Sequence, residues 1–544
     1  MGSHSSSSAD SGWGDGVMTI PSYRPTEEEW NDPMEYVTRI TKESSAFGMA
    51  HIVPPASWDP PFAIQKASDG VGMDSFVFKV RRQETSKLCR RDAGEDFGFQ
   101  SMSEPYTLEK FARYADSFKS EYFTHAGGVG HASEDAQRSK YCLPNTCPME
   151  TYPSVEEIEE EFWSIVQGGE TVEALYGSDL DNLSFGSGFP MPSGQRWEEM
   201  QRRFRHQRGM ILERRDDPVD DAYRSHPWNV NNISLASKSL LRYVDDDELI
   251  SGVMVPWMYV GSCFSAFNWH VEDHALYSIN YIHFGSPKVW YSVPGEYSEQ
   301  LEAAFKDALP HLFEASPSLL HQLVTQLSPV ELVKRGVPVY RVVHEPRSFI
   351  VTMPNAYHDG FNTGFNVAES VNFAALPWLP YGSSVIKAYR SSNRPVTISH
   401  DALLCRMVLN ASMVDGSDFT RTVGSCAAVE LQHRIRELTK EWQDMEDRFA
   451  CLGLDIRDVP LECQRDDSHD ALDTSESDCM FCKGDLWLMG LYSTHDTDTL
   501  VCISHAHLFV LKERYPLDSI RISYQYSISE LRKLVKGVPQ NGKP

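Results

Sequence analysis

Between residues 250 and 295, and again between 337 and 377, the chain breaks into short β-branched and aromatic runs separated by Gly or Pro: SINYIHF, KVWYSV, PVYRVV and SFIVTM. Runs of this length and composition read as strands. Between the two clusters, residues 297 to 335 carry helical segments (LEAAF, PSLLHQLV and SPVELVKR). The pattern predicts an α+β chain with a strand-built centre interrupted by a helical block.

A chain of 544 residues has room for several domains, or for one large domain with satellites. Its 41% hydrophobic content, with 12 Trp and 26 Phe, supplies a substantial core. No apolar run approaches the ~18 residues of a membrane-spanning helix, and the N-terminus lacks the layout of a secretory signal. Eleven cysteines, odd in number and scattered, argue for a reducing compartment and against a disulfide framework. Cys89, Cys405 and Cys451 read as plain thiols. A net charge of −27 repels phosphate backbones and draws in basic partners, a Lys/Arg-rich peptide being the simplest. Direct sequence-specific DNA binding is therefore not expected.

Residues 19–62 are rich in Pro and Trp, with a short helix expected over Glu27 to Ile40 and Thr26 as its N-cap. Pro54, Pro55, Pro60 and Pro61 then enforce extended chain. The basic run at 79–91 reads as a solvated loop and a weak nuclear address, and 125–149 as a Gly/Ser/His-rich surface insertion. A Ser-led acidic helix occupies 154–167. Leu431, Ile435, Leu438, Trp442, Met445 and Phe449 recur at helical spacing, predicting an amphipathic helix of about six turns packed on the domain. Residues 453–478 are polar and acidic and read as a disordered linker.

Residues i and i+2 of a strand share a face, so His270 and Glu272 in FNWHVEDH can aim together into an interior. A distant His358, in MPNAYHDGFN, completes a two-His-one-carboxylate set that leaves positions open on a non-haem iron. With 19 His and 77 acidic residues, about three His-x-acid triplets arise by chance, so the spacing alone carries little. Its surroundings carry more. FSAFNWHVEDHALYSINYIHFGSPKVWYSVPGEY and PNAYHDGFNTGFNVAESVNF resemble the catalytic core of JmjC histone lysine demethylases. The opening at 19–62 resembles the accompanying JmjN segment. YTLEKFARYADSFKSEYF, YGSDLDNLSFGSGFP and LFEASPSLLHQLVTQLSPVELVKRGVPVYRVV are similar to the JARID type, in its plant-like branch.

The resemblance implies a double-stranded β-helix (jelly-roll, cupin-like) with surrounding helices, and the following layout. A disordered leader (1–18) precedes JmjN (19–62), a connecting region packed on the core (63–223) and the JmjC catalytic domain (224–390). A helical region (391–452), the acidic linker (453–478) and a zinc-finger region (479–535) follow. It also implies Fe(II) on His270, Glu272 and His358, and 2-oxoglutarate as cosubstrate. Lys288 and Tyr176 fall on the partners of the distal carboxylate, and Ser278, Asn280 and Asn362 on the cosubstrate side. Phe267 and Trp290 pack on its stem, and Tyr259 lies beside the substrate's methylammonium, which an aromatic face attracts. The implied activity is O₂-dependent demethylation of lysine 4 on a methylated histone H3 tail, in the nucleus and within chromatin complexes. Action on lysine 9 or 36, hydroxylation of a non-histone protein, and a non-catalytic scaffold are the alternatives. An intact ligand set and an intact Lys288 speak against the last.

Two departures stand out: Asn268 replaces a Cys or small residue, and Asp359 replaces a small residue directly after His358. Asp359 is expected to place an acid beside the metal and to affect iron oxidation or methyl-state preference. Further on, Cys479-x-x-Cys482 and Cys502-x-x-His505 fit one tetrahedral zinc, Zn(II). The resembling fingers carry eight ligands, and the second and fourth pairs are absent from GLYSTHDTDTLV and HLFVLKERY, so one zinc is expected. Cys142 and Cys147 form a weaker candidate pair.

Overall fold

The structure, a computed structural model, describes residues 16–62, 77–85, 99–125, 153–168, 171–192, 198, 218–244, 250–315, 325–413, 417–465, 477–512 and 515–538. Nearly all of the leader, the insertion after residue 125 and the pair Cys142 and Cys147 lie outside these. The chain packs as two units. One comprises Met1–Ile233, Val255–Glu272 and Ser278–Asn372, the other Ser234–Met254, Asp273–Tyr277 and Phe373–Pro544. The expected 224–390 segment is thus shared, its 234–254 and 373–390 parts packing within the second unit.

In the first unit the chain alternates between two sheets. Trp257–Gly261, Tyr277–Gly285, Phe349–Thr352 and Asn366–Phe373 lie in one. Ala266–His270, Lys288–Val293, Tyr340–His344 and Tyr357–Asn362 lie in the other. Such alternation is the double-stranded β-helix. Side-chain alternation sorts each strand between interior and exterior. Val289, Tyr291 and Val293 join Phe162, Trp163, Leu301, Phe305 and Phe361 in one apolar cluster, while Trp290 joins Ile20, Met49, Val342 and Ile350 in another. Leu175, Met258 and Val260 likewise face Phe78, Leu108 and Phe111, which turns Tyr176 and Tyr259 to the opposite face.

The helix Val155–Gly168 supplies Phe162 and Trp163 to that first cluster. Its start follows the sequence: Ser154 Oγ accepts from the Glu157 amide at 3.2 Å, and the Glu157 carboxylate accepts from the Ser154 amide at 2.7 Å. The N-terminal helix differs from expectation. Thr26 and Glu29 exchange the same two hydrogen bonds (3.3 and 2.8 Å), but over a single 3₁₀ turn, Glu29–Asn31. The α-helix proper is Pro33–Ser44, capped by Asp32. A proline lacks the N–H that a helix interior needs, so Pro33 can only open the helix.

The N-terminal segment also contributes strands to both sheets. Met18–Thr19 pairs with Tyr340–His344, and Met49–Ile52 pairs with Phe349–Thr352 and with Ser22–Tyr23. Arg81–Glu84, read from sequence as loop, is a strand between Phe99–Ser101 and Glu173–Asp181. Its charged side chains hid it, because Arg81 and Arg82 stay at the surface in ion pairs with Asp179 and Glu173. Fully buried Glu369 accepts hydrogen bonds from Asn182 (2.7 Å), Ser187 (2.8 Å), His283 (3.0 Å) and the Gly188 amide, fastening residues 182–188 to the sheet.

The second unit carries helices Leu379–Ser391, His400–Met413 and Asp418–Cys451. The last has 34 residues and is longer than the Leu/Ile/Phe stripe foretold. Ser417 caps it, and its added turns pack through small residues: a Cβ at Gly424 would meet the Ala411 side chain at 2.1 Å. Arg434 holds Asp401 with Nε 3.1 and 3.0 Å from the two carboxylate oxygens. The linker expectation for 453–478 fails at its start, because Leu461–Cys463 joins a four-stranded sheet with Ile520–Tyr524, Met489–Ser493 and Asp496–Val501. No helix among the described residues is long and apolar enough to cross a membrane.

Trp30, 3% exposed, stacks on Trp228 at 4.0 Å and meets Trp58 edge-on at 5.4 Å and Phe349 at 5.9 Å, tying the turn before the N-terminal helix to the strand Phe349–Thr352. Trp30→Ala is expected to cost about 3–5 kcal/mol of stability, measured by urea unfolding followed by circular dichroism.

Candidate metal centre

His270 and His358 are direct partners across the antiparallel pair Ala266–His270 and Tyr357–Asn362, with ring centroids 4.1 Å apart. The register slips by one residue between Phe267 and His270. Residues three apart on a regular strand face opposite ways; this bulge lets both Phe267 and His270 face the interior, while Trp269 turns out to the Leu327 carbonyl (2.9 Å). Glu272 lies just past the end of that strand, not on it, and its Oε1 is 3.4 Å from His358 Nε2. The three side chains offer ligand atoms within 4.8 Å of one another.

Their orientations are set from behind. His270 Nδ1 lies 2.6 Å from the Asn268 carbonyl and His358 Nδ1 3.1 Å from that of Ala356. Each Nδ1–H therefore donates to backbone and leaves the Nε2 lone pair free, as metal-ligating imidazoles require. Asn372 Nδ2 donates to Glu272 Oε2 at 2.9 Å. Burial, then His358, lowers the His270 pKa to about 4, keeping it neutral. Burial pushes Glu272 up, but the hydrogen bond and charge of His358, followed by His270 and Asn372, outweigh it and hold the carboxylate at about 2.

One strand away, Lys288 is 4% exposed with no acidic partner among the described residues, and burial lowers its pKa to about 7. Its ammonium lies 5.7 and 5.8 Å from the Tyr176 and Tyr259 ring centroids. Tyr176 is hydrogen-bonded with Asn362, which donates to the Ser265 carbonyl at 2.8 Å. Tyr259 is hydrogen-bonded with Ser370. Asn280 donates to Ser278 Oγ at 3.2 Å, and Ser278 pairs with Thr352 at 2.7 Å. Trp290 meets Phe267 at a tilt, 4.5 Å away, and stacks 6.0 Å from His358, and its buried indole N–H has no partner among the described residues. Ring contacts join Phe267 to His270 and Trp290 to His358, and Lys288 lies over Tyr176 and Tyr259, whereas Ser278 and Asn280 contact each other and Thr352. Asn372 and Thr352, in strands, and Ser265, just before one, were missed; short polar residues at such places carry no spacing signal.

Asp359 is not beside the cluster. It is the strand neighbour of His358 and so faces the other way, where its Oδ1 accepts from Gln326 Nε2 at 2.6 Å. It is fully buried, and that burial raises its pKa well above the usual carboxylate range.

In the second unit Cys479, Cys482, Cys502 and His505 form a second group within 4.8 Å. Cys502 Sγ is 3.2 Å from His505 Nδ1 and 3.9 Å from Cys482 Sγ. A turn closed by Lys483 N–H to the Cys479 carbonyl (2.8 Å), with Lys483 at φ 54°, brings the first two thiols together. GLYSTHDTDTLV, where further ligands were sought, is a strand pair; there Asp496 accepts from Tyr515 (2.6 Å) and Thr499 (2.7 Å), and Phe509 packs on Tyr515 at 4.8 Å.

Three family models match the chain: a jmjN domain over 21–54, a "JmjC domain, hydroxylase" over 257–373, and a C5HC2 zinc finger over 479–534. The chain is 35% identical over 527 residues to "Lysine-specific demethylase JMJ703" of Oryza sativa subsp. japonica, covering 89% of this chain and 38% of that protein. It is 35% identical over 564 residues to "Putative lysine-specific demethylase JMJ16" of Arabidopsis thaliana (95% and 44%). It is 34% identical over 446 residues to "Lysine-specific demethylase 5B" of Gallus gallus (82% and 25%). The chain spans less than half the length of each of these relatives. With jmjN, JmjC and C5HC2 domains matched in that order, the chain is a JmjN/JmjC-domain protein, similar over most of its own length to these lysine-specific demethylases.

Proposed function

We propose that the chain is an Fe(II)- and 2-oxoglutarate-dependent oxygenase that demethylates lysine 4 of a methylated histone H3 tail in the nucleus. The observation that carries this is the buried, acid-less Lys288 sharing one interior with His270, Glu272 and His358. An unpaired ammonium out of water is costly, and a ligand carboxylate relieves that cost. The donor set fits the metal: two imidazoles turned to present Nε2 and one carboxylate on one side, the rest of the coordination sphere left to ligands. The relatives' names supply the lysine, and the resemblance to the JARID type supplies its place on the histone. The chain's acidity suits a basic tail.

His270, Glu272 and His358 would hold the metal. Lys288 and Tyr176 would take the distal carboxylate of 2-oxoglutarate, and Phe267 and Trp290 would pack on its stem. Ser278, Asn280 and Asn362 would line its side, and Tyr259 would stand beside the methylammonium. Bound iron with 2-oxoglutarate and O₂ supplies the oxidising power to hydroxylate an N-methyl group, which then leaves as formaldehyde. Asn372 keeps Glu272 turned toward the histidines, and the Asn268 and Ala356 carbonyls keep both imidazoles presenting Nε2. The apolar walls exclude water from the reacting methyl group.

H3 peptides trimethylated at lysine 4, 9 or 36, incubated with Fe(II) and 2-oxoglutarate and read by mass spectrometry, test this. Loss of methyl from the lysine-4 peptide alone is expected, falling by about two orders of magnitude or more in Glu272→Gln. Turnover of another peptide instead would displace lysine 4, and turnover of none would end the reading.

The depressed Lys288 pKa gives a pH dependence. A bound carboxylate favours the ammonium, so above about pH 7 the free amine must take up a proton to bind. The dissociation constant of 2-oxoglutarate on Mn(II)-loaded protein should therefore rise with pH, by up to about tenfold per unit. Calorimetry in buffers of different ionisation enthalpy would show the proton uptake.

We also propose one structural zinc on Cys479, Cys482, Cys502 and His505. Elemental analysis should return one zinc per chain, and Cys502→Ser should lose it; two zinc ions per chain would contradict the ligand count.

A further inference from the structure

His344 lies directly opposite Lys288 across the antiparallel pair Lys288–Val293 and Tyr340–His344, so the two side chains share a face. It is fully buried, with its ring 6.1 Å from that of Trp290. His344 Nε2 lies 2.9 Å from the Ser348 carbonyl, an acceptor, so Nε2 carries the proton and donates. Nδ1 is then a lone-pair acceptor, and it is buried with no partner among the described residues. Burial also holds the ring neutral, its pKa well below the usual value.

The tautomer is secured from the N-terminal segment. Ser348 Oγ donates to the Glu345 carbonyl (2.7 Å) and is 3.0 Å from His51 Nε2, while His51 Nδ1 is 2.9 Å from Ser22 Oγ. Ser348, and with it the carbonyl that orients His344, is thus clamped on both sides. A buried acceptor without a donor is rare in a folded protein, and here it faces the strand position of a buried ammonium with three protons to give.

We propose that His344 is a positioning residue for Lys288: its Nδ1, unpartnered in the structure, accepts one hydrogen bond from the ammonium when 2-oxoglutarate binds, leaving the remaining N–H groups for the distal carboxylate. This rests on the proposed function and adds to it a determinant of cosubstrate affinity that the sequence reading did not name.

The test uses the full chain loaded with Mn(II), without turnover, and reads 2-oxoglutarate binding by calorimetry beside Mn(II) affinity. His344→Leu should weaken 2-oxoglutarate about tenfold, the scale of one charge-assisted hydrogen bond, with Mn(II) affinity unchanged. His344→Gln, which keeps an N–H for Ser348 and an oxygen for Lys288, should stay within about twofold of wild type. In a Lys288→Met background, His344→Leu should add no further loss. Unchanged binding in His344→Leu, a Gln variant as weak as Leu, or additive losses with Lys288→Met would each overturn the assignment. A wild-type protein that binds no 2-oxoglutarate would overturn the proposed function itself.

Discussion

One antiparallel pairing sets His270 opposite His358, and a single extra residue in the first strand decides what else can face them. Without the bulge, Phe267 and His270 would fall on opposite sides of the sheet. With it, the aromatic wall, both imidazoles and the chain leading to Glu272 converge on one interior. The neighbouring strand Lys288–Val293 extends the same face to Lys288 and Trp290 and gives its other face to the apolar cluster. Strands therefore carry both histidines, and only Glu272 stands on the chain just beyond one, which suits a site whose ligands must be held to a fraction of an ångström.

The strand runs were legible because their composition and punctuation are local properties. The His-x-Glu spacing was legible too, but its interpretation needed the neighbouring residues. The spacing argument also assumed a regular strand through Glu272, whereas the strand ends at His270. Asp359 was misplaced for a related reason: sequence adjacency to His358 suggested spatial adjacency, and strand alternation sends the two side chains apart. Asn372 reaches Glu272 from the other sheet and His344 lies opposite Lys288 across a strand pair, and no local pattern announces either neighbour. Arg81–Glu84 was lost because a strand with a charged edge looks like a loop to any hydrophobicity argument.

The second unit shows the same limit at a larger scale. The stripe from Leu431 to Phe449 predicted the buried half of its long helix, but the first turns pack by small residues, which leave no hydrophobic stripe to read. The C5HC2 match covers a segment with three cysteines, and half of that finger's ligand pattern has no counterpart there. Where other ligands were expected, a hydrogen bond from Tyr515 to Asp496 ties the strand pair to the segment that follows, within which Phe509 packs on Tyr515.

The short N-terminal strands bear on solubility. Met18–Thr19 ends one sheet of the first unit, and Ser22–Tyr23, beyond Met49–Ile52, ends the other. Stripped of them, Tyr340–His344 and Phe349–Thr352 would each present a row of unpaired amides and carbonyls, among side chains as apolar as Val342, Phe349 and Val351. Bare edges of that kind invite pairing with other chains. The segment thus acts as selvedge to a woven sheet: a form of the protein lacking it would be lost first to self-association, whatever became of its chemistry.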